Sequence, residues 1–326
     1  METATTRDEL LASLQLAFFM DGFAEISSAL ICVAGALANF TLILLILNCT
    51  PNTMKSYSVF LFNFAFFDLC TCILSLFACQ KTVFSGIALI YIFHGPCKYI
   101  SAWFCYFCHC FVCHSLAHSQ WILLASFIYR YFILIGTFPT IRTMIAISIA
   151  LYSMSHFILV TYVMDIGDSD EFMRIITHLH PQYHYDDESI WGKLVLSGNL
   201  SIFQPFTMWA IVYMTTPCVP IYALILYYRH RTLAILNDSS VNISDAAKSS
   251  HRKLIQALTI QAMIPIFWLM GSAIFTMAEF GVISGPIFEN IIFRLMDCIP
   301  STSPFISIIF IGPYRAYARV EDRNEV

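Results

Sequence analysis

The chain has 326 residues and a formal net charge of −4, with 58% hydrophobic residues, 12% charged residues and a mean hydropathy of +0.72. A water-soluble domain of this length does not bury that much apolar side chain, so the composition excludes an ordinary soluble protein. Lipid is therefore expected to solvate much of the chain. The N-terminal stretch METATTRDELL is acidic and lacks the basic segment of a signal peptide, so the first apolar segment is expected to remain and to span the membrane.

Several apolar segments are long enough to cross the membrane, which takes about 20 residues of helix. In chain order the seven predicted spans are 26–54, 56–79, 99–129, 143–164, 194–228, 254–278 and 290–311. Residues 82–97 are also uncharged, but two glycines and a proline interrupt this short stretch, so it is predicted to be an extracellular loop. The expected fold class is all-α, a seven-transmembrane helix bundle.

Charge predicts which side of the membrane each connection faces. The connections 48–57, 130–142, 229–253 and 312–326 carry 11 Lys/Arg and 5 Asp/Glu, whereas the opposite side carries 6 Lys/Arg and 15 Asp/Glu. An excess of Lys/Arg marks the cytoplasmic side. We therefore expect residues 1–25 to be extracellular, 26–314 to form the membrane domain and 315–326 to be a cytoplasmic tail.

Three sequons can be read against this topology. Asn199 falls in an outer connection or at the top of the fifth span, where it is predicted to be a glycosylation acceptor. Asn237 and Asn242 head the other two on the cytoplasmic side, where glycosylation is not expected.

Polar residues inside the predicted spans are expected to face the interior of the bundle. Asn39 and Asp68 lie at similar depth in the first and second spans, and we group Ser119 of the third span with them as an intramembrane polar switch. They form either a buried hydrogen bond between helices or a site whose protonation or cation occupancy changes on activation. Arg294 and Asp297, three residues apart in the seventh span, form either a structural ion pair or, through Arg294, an anchor for a carboxylate ligand.

Several of these residues resemble the landmark pattern of rhodopsin-like G-protein-coupled receptors. The pattern comprises Asn39, NFAFFD at 63–68, Cys105 and YRY at 129–131, followed by Pro220, Tyr228, Pro265 and Pro304. HGPCKYISAWFCYF (94–107), HSQWILLASFIYRYFIL (118–134) and GPYRAYAR (312–319) are similar to nematode serpentine chemoreceptors, with the best fit to class delta, Srd.

The resemblance implies that Tyr129, Arg130 and Tyr228 couple to a heterotrimeric G protein at the cytoplasmic end of the bundle, with Tyr228 supporting Arg130. Arg130 stands where the family has its helix-three arginine, but Tyr129 replaces the acidic residue before it, so the usual resting ion pair is missing. A guanidinium at this position can donate to backbone carbonyls of an inserted partner helix. The alternative is that Arg130 only anchors the helix end by reaching toward the membrane surface.

The resemblance also implies a ligand pocket in the outer half of the bundle, with Pro220, Pro265 and Pro304 as kinks that allow the inner ends to splay. Its predicted residues are His109, Val112, Cys113, Trp268, Ser272 and Arg294. Val112 stands where aminergic receptors have an aspartate, and the seventh span has no lysine, so neither an amine anchored there nor a retinal Schiff base is expected. The expected ligand is a small apolar or weakly polar molecule that enters from outside.

Departures at the cysteines leave the disulfide open. The outer loop 165–193 has no cysteine, so the family's usual bridge from helix three cannot form, and Cys97 pairs with either Cys79 or Cys105. The segment CYFCHCFVCHSLAH (105–118) is apolar and helical, so CYFCH is not expected to attach haem. Cys110, Cys113, His114 and His118 share one helical face and are either packing residues or ligands for a soft transition metal.

The sequence thus predicts a G-protein-coupled chemosensory receptor, multi-pass in the plasma membrane and, by resemblance, in sensory cilia. The expected partners are an odorant-like ligand, a heterotrimeric G protein, membrane lipid and, as a possibility left open, another copy of the receptor, with no nucleic acid and no cofactor. No catalytic constellation is discernible, so no enzyme is expected. A ligand-gated cation channel of the odorant-receptor type is the alternative, which the charge asymmetry opposes, and a transporter is the third, which lacks visible repeats.

Overall fold

A computed structural model describes residues 2–237 and 245–317, so the Asn242 sequon and the end of the predicted tail lie outside the described residues. Within these ranges, seven helical segments are long and apolar enough to cross a membrane, which confirms the seven predicted spans. The first four and the seventh are single helices: α1 (Glu2–Cys49), α2 (Lys55–Ala78), α3 (Ala102–Leu134), α4 (Ile141–Met164) and α11 (Pro286–Phe310).

Three helix boundaries differ clearly from the predicted spans. The fifth span begins at Pro205 rather than at residue 194, because residues 195–199 form a strand. α1 begins at Glu2 rather than at residue 26, because nothing in the N-terminal stretch breaks a helix. α3 continues past Arg130 to Leu134, so the arginine lies inside the helix and does not end it. At its other end, the Ser101 side chain caps α3 by accepting a hydrogen bond from the Phe104 backbone nitrogen at 3.1 Å.

Prolines interrupt the fifth and sixth spans. The fifth consists of α7 (Pro205–Thr215) and α8 (Cys218–Asn237), with Pro220 in the first turn of α8. The sixth consists of α9 (Asp245–Gln261) and α10 (Ile266–Glu279), separated at Pro265. Because proline has no backbone N–H, it removes a helical hydrogen bond and breaks or kinks the helix. Pro304, like Pro300, lies inside α11.

A three-stranded antiparallel sheet covers one end of the bundle, which we call the sheet side. Its strands are β1 (Gln80–Phe84), β2 (Leu89–Phe93) and β3 (Val195–Asn199), in the order β1-β2-β3. The connection 82–97 is therefore not a span, as predicted, but most of it is a hairpin rather than irregular loop. Its β-branched and aromatic run LIYIF, bounded by glycines, is typical of a strand.

The sheet is buried on both faces. Every residue of β1 and β2 is buried. On the face away from the bundle, Val83, Ile90 and Ile92 pack with Ala17 of α1 and with two short helices, α5 (Ser169–Leu179) and α6 (Glu188–Trp191), through the apolar residues Phe172, Ile176 and Trp191. We call the sheet, α5, α6 and the first half of α1 together the roof.

A buried ion pair holds the roof, and a disulfide ties the connection after β2 to α3. Lys81 Nζ lies 2.5 Å from Asp21 Oδ2, and the lysine side chain has no exposed surface. Its ammonium also lies over the rings of Trp191 and Tyr185, at 5.2 and 5.7 Å. The disulfide joins Cys97 to Cys105, which decides between the two pairings that the sequence leaves open.

Candidate functional site

A cavity of about 210 Å³ lies between the spans directly beneath the sheet. Strands β1 and β2 form its top through Thr82, Leu89 and Tyr91, and helices α3, α4, α7, α10 and α11 form its walls. Among the described residues that line it, none is Asp, Glu, Lys or Arg. A charged ligand would lose its hydration there without gaining a partner, so the cavity suits an uncharged molecule.

His109 presents the best-defined polar atom of this cavity. Its Nδ1 accepts a hydrogen bond from Gln80 Nε2 at 2.9 Å, so the imidazole proton lies on Nε2. Nε2 is 3.7 Å from the Cys113 sulfur, a weak acceptor. The ring is held at 4.1 Å from that of Tyr91 and at 5.8 Å from that of Phe293. His109 therefore offers a rigidly held donor to a ligand that carries an acceptor.

The cavity was only partly predictable. Of the six predicted pocket residues, four line it: His109, Cys113, Trp268 and Ser272. Tyr91 and Phe293 were missed, as was Tyr162. The strand-like run 89–93 was the available signal for Tyr91. Burial raises the pKa of its phenol further above the ordinary value, so the group stays uncharged.

The other two predicted pocket residues lie elsewhere. Val112 is buried in the packing core of α3 and does not line the cavity. Arg294 does not line the cavity either, and only 9% of its surface is exposed. Its Nη1 donates to the Ala24 carbonyl at 2.6 Å, and its Nε lies 3.4 Å from Asp297 Oδ2. Asp297 Oδ2 also accepts from the Ser28 hydroxyl at 3.0 Å. The structural ion pair therefore forms, and it links α11 to α1.

A smaller cavity of about 40 Å³ lies below the first, and Trp268 lines both. Asp68 and Ser119 face this smaller cavity. Ser303 of α11 lines the same cavity as Asp68. Two of the three residues of the predicted polar switch therefore meet at one cavity, next to the proline-containing part of the seventh span.

Asn39 forms its hydrogen bonds with backbone carbonyls, and the hydrogen bond to Asp68 that was one of the two expectations is not among them. Its Nδ2 donates to the Pro300 carbonyl and to the Gly35 carbonyl, each at 3.0 Å. Pro304 has no N–H to bond the Pro300 carbonyl within the helix, so Asn39 satisfies an acceptor that the proline leaves free. Asn39 therefore bonds α11, and Asp68 shares a cavity with Ser303 of the same helix.

Arg130 lies buried at the other end of the bundle, with 5% of its surface exposed. Its guanidinium carbon is 3.6 Å from the centre of the Tyr57 ring and 5.6 Å from that of Tyr129. Its Nε and Nη2 are buried without a hydrogen-bond partner. The idea that Arg130 only reaches out to the membrane surface is therefore wrong, because the side chain turns inward onto α2. Tyr228 does not support it either, since its ring packs against Tyr131 at 5.6 Å.

The expected glycosylation of Asn199 conflicts with its packing. Asn199 is fully buried in β3. Its Nδ2 donates to Thr207 Oγ1 at 2.9 Å and to the Asp165 carbonyl at 3.2 Å, and its Oδ1 accepts from the Tyr106 hydroxyl at 3.0 Å. A glycan on Nδ2 would displace both acceptors, so Asn199 is a structural residue that ties β3 to α3 and α7.

The cysteine and histidine face of α3 does not come together as a metal site. Within the described ranges, no three His, Cys, Asp or Glu side chains are placed to hold a metal ion. Cys110 and Cys113 are buried. His118 Nε2 bonds Asn63 Oδ1 at 3.0 Å and its Nδ1 bonds the Ser155 hydroxyl at 3.2 Å. This face packs α3 against α2 and α4.

Comparison with known proteins places the chain in a family. The family described as "Serpentine type 7TM GPCR chemoreceptor Srd" matches residues 24–319. "Serpentine receptor class delta-2" of Caenorhabditis elegans is 58% identical over 316 residues, which cover 97% of this chain and 87% of that protein. "Serpentine receptor class delta-1" and "Serpentine receptor class delta-3" of the same organism are 56% and 48% identical, and the matches cover 96% and 86% of this chain and 85% and 82% of those proteins. With seven membrane-spanning helices and these relatives, the chain belongs to the Srd family of serpentine seven-transmembrane chemoreceptors.

Proposed function

We propose that this protein is a chemosensory receptor that binds a small uncharged molecule in the cavity beneath the sheet and activates a heterotrimeric G protein. The observation that carries the proposal is the charge-free cavity with one fixed donor, His109 Nε2, inside a chain of the Srd family. A neutral molecule with a hydrogen-bond acceptor, such as a ketone, aldehyde or ester, complements that surface.

The chain offers a route from this cavity to the opposite end of the bundle. Trp268 lines both the ligand cavity and the Asp68 cavity. On α11, Asn39 donates to the Pro300 carbonyl, and Ser303, next to Pro304, lines the Asp68 cavity. A ligand that moves Trp268 would therefore disturb the kinked part of the seventh span. Coupling by a conformational shift requires that the ligand bind one arrangement better than the other.

Arg130 is the residue proposed to meet the G protein, together with Tyr129 and, at the same end, Tyr228. In the resting receptor the Tyr57 ring takes the place of the missing acidic partner by holding the guanidinium through a cation–π contact. Release of this contact would free the guanidinium for backbone carbonyls of the partner. We propose in addition that the N-terminus lies outside and the basic connections lie in the cytoplasm, as their excess of Lys/Arg predicts, and that the receptor sits in the plasma membrane of a sensory cilium.

The test uses cells that carry the receptor at their surface and a panel of neutral odorants. We expect a response that disappears when G-protein signalling is blocked and also in Arg130→Ala, while Arg142→Ala, an exposed arginine on the same side, keeps it. A fast current that survives both treatments would contradict G-protein coupling and indicate a channel.

Tyr57 provides a second measurement on the same site. A desolvated cation–π contact is worth about 2 kcal/mol. Its loss in Tyr57→Leu is therefore expected to raise the ratio of active to resting receptor without ligand by up to about 30-fold, and ligand-independent signalling with it. Tyr57→Phe keeps the ring face and is expected to stay near the wild-type level. Equal basal signalling in the two variants, at equal surface expression, would show that the ring does not restrain Arg130.

A further inference from the structure

The ligand cavity is closed toward the sheet side and open at one wall. At the top, all residues of β1 and β2 are buried, and the roof adds a second packed layer above the strands. The strands also lie tightly together, since β2 pairs with β1 and with β3 along its whole length. Between the cavity and the sheet side, the described residues are thus packed in two buried layers, which close this side.

The roof is held by contacts that its opening would have to break. The buried Lys81–Asp21 pair joins β1 to α1, and the Lys81 ammonium is covered by Trp191. Asn290 of α11 donates to the other Asp21 oxygen at 2.9 Å. Opening the roof would break this short ion pair and expose the apolar residues packed around it, which is unfavourable.

The open wall lies between the fifth and sixth spans. Thr215 of α7 and Thr276 of α10 both line the cavity and are both exposed. α7 packs against α4 and α3, whereas α10 packs against α11, so the two helices form opposite walls of the opening. The large residues next to these threonines, such as Val212 and Met277, are 44% and 40% exposed, which is the surface that the lipid covers.

The chemistry of the two threonines suits an opening in lipid. Thr215 Oγ1 donates to the Ile211 carbonyl and Thr276 Oγ1 donates to the Ser272 carbonyl, each at 2.8 Å. Their hydroxyl protons are satisfied within their own helices, so the rim presents small side chains without an unpaired donor.

We propose that the ligand enters this receptor from the bilayer, through the opening between Thr215 and Thr276, and that its ligands are neutral molecules that partition into membranes. This inference rests on the proposed ligand site and differs from the sequence-based expectation of entry from outside. A water-soluble charged molecule would have no path to His109, whereas an aliphatic molecule with one acceptor group can dissolve in the acyl chains and then cross the rim.

The test measures the rate at which a probe reaches the cavity in purified receptor in lipid nanodiscs. The probe is a decanone that carries an aliphatic diazirine. It is mixed with receptor, illuminated after varied delays and mapped by mass spectrometry on the α3 peptide that contains His109 and Cys113. The variants Thr276→Trp and Thr215→Trp narrow the opening from either side, and Thr216→Trp is the matched control because Thr216 is exposed on the same span but does not line the cavity.

We expect Thr276→Trp and Thr215→Trp to slow labelling by about tenfold or more but to leave its final extent unchanged. A narrower route lowers the association and dissociation rates by the same factor, so the affinity stays the same. Thr216→Trp and Lys81→Met, which loosens the roof, are expected to label at the wild-type rate. Unchanged rates in both rim variants, faster labelling in Lys81→Met, or no labelling of the α3 peptide in the wild type would each overturn the proposal. Thermal unfolding confirms that each variant is folded. The labelling experiment needs no G protein. If the receptor is labelled normally but cells that carry it give no signal, the proposed G-protein coupling is refuted and the entry route stands.

Discussion

Removal of Lys81 is expected to destabilise the receptor far more than removal of an ordinary surface lysine. Lys81→Met keeps the length of the side chain but leaves Asp21, whose side chain is 8% exposed, without its cation at 2.5 Å. Breaking a buried ion pair by deleting one partner costs about 3–5 kcal/mol, since the remaining charge is desolvated and unpaired. Asn290 still donates to the other Asp21 oxygen, so we expect a value near the lower end of that range.

The assay is unfolding of the purified receptor by titration with SDS, which reports the free energy of unfolding in a membrane-like environment. Lys98→Met is the matched control, because Lys98 lies in the same connection and contacts Tyr99 by a cation–π interaction at 5.3 Å, and it is only partly buried. The control is expected to change the free energy of unfolding by about 1 kcal/mol or less.

A double variant isolates the pair itself. Asp21→Asn combined with Lys81→Met removes both charges, so it is expected to recover most of the loss and to give a coupling energy of about 2 kcal/mol or more. If Lys81→Met costs no more than Lys98→Met, or if the double variant is as unstable as the sum of the single ones, then the buried pair does not hold the roof and the reasoning fails.

Two further predictions concern close packing and pH. A Cβ at Gly35 would clash with Ser301, lying 2.8 Å from its Cα, so Gly35→Ala should lower the free energy of unfolding by about 1–3 kcal/mol. The control is Gly22→Ala, which should be neutral or stabilising because a Cβ there has nothing within 4 Å. Equal effects of the two variants in SDS titration would contradict this packing. Burial and the nearby Lys81 lower the pKa of His94 to about 4, although the Asp21 carboxylate at 3.7 Å opposes the shift. Because the folded pKa lies below the ordinary value near 6.5, the unfolded chain binds the extra proton between these values. Stability is therefore full above about pH 6.5 and falls by up to about 3 kcal/mol toward pH 4. His94→Gln should flatten that part of the stability–pH curve, and an unchanged slope would show that another group titrates there.

The seven spans followed from the sequence because a membrane imposes one simple requirement on each of them. A helix that crosses hydrocarbon needs a long apolar segment and satisfies its own backbone hydrogen bonds, so composition alone marks it. The same reasoning predicted that Asp68 faces the interior, since a charge in the membrane needs a partner or a polar cavity. For Arg294 it gave the ion pair with Asp297 as one of two alternatives, and the structure has that pair. Residues 89–93 were harder, because a short apolar run is compatible with a loop at the surface or with a strand.

Tertiary structure decided what each polar side chain contacts. Asn39 bonds the Pro300 carbonyl and not Asp68, and Arg130 stacks on Tyr57, because which neighbouring helix a side chain meets depends on how the helices are rotated and kinked. Asn199 reads as a sequon, yet three hydrogen bonds bury it in β3. The sequence by itself determined that this protein is a membrane protein with seven apolar spans. Only the packing of β1–β3 onto the bundle decided where its cavity closes, because strand pairing between residues 89–93 and 195–199 brings together segments that lie far apart in the chain.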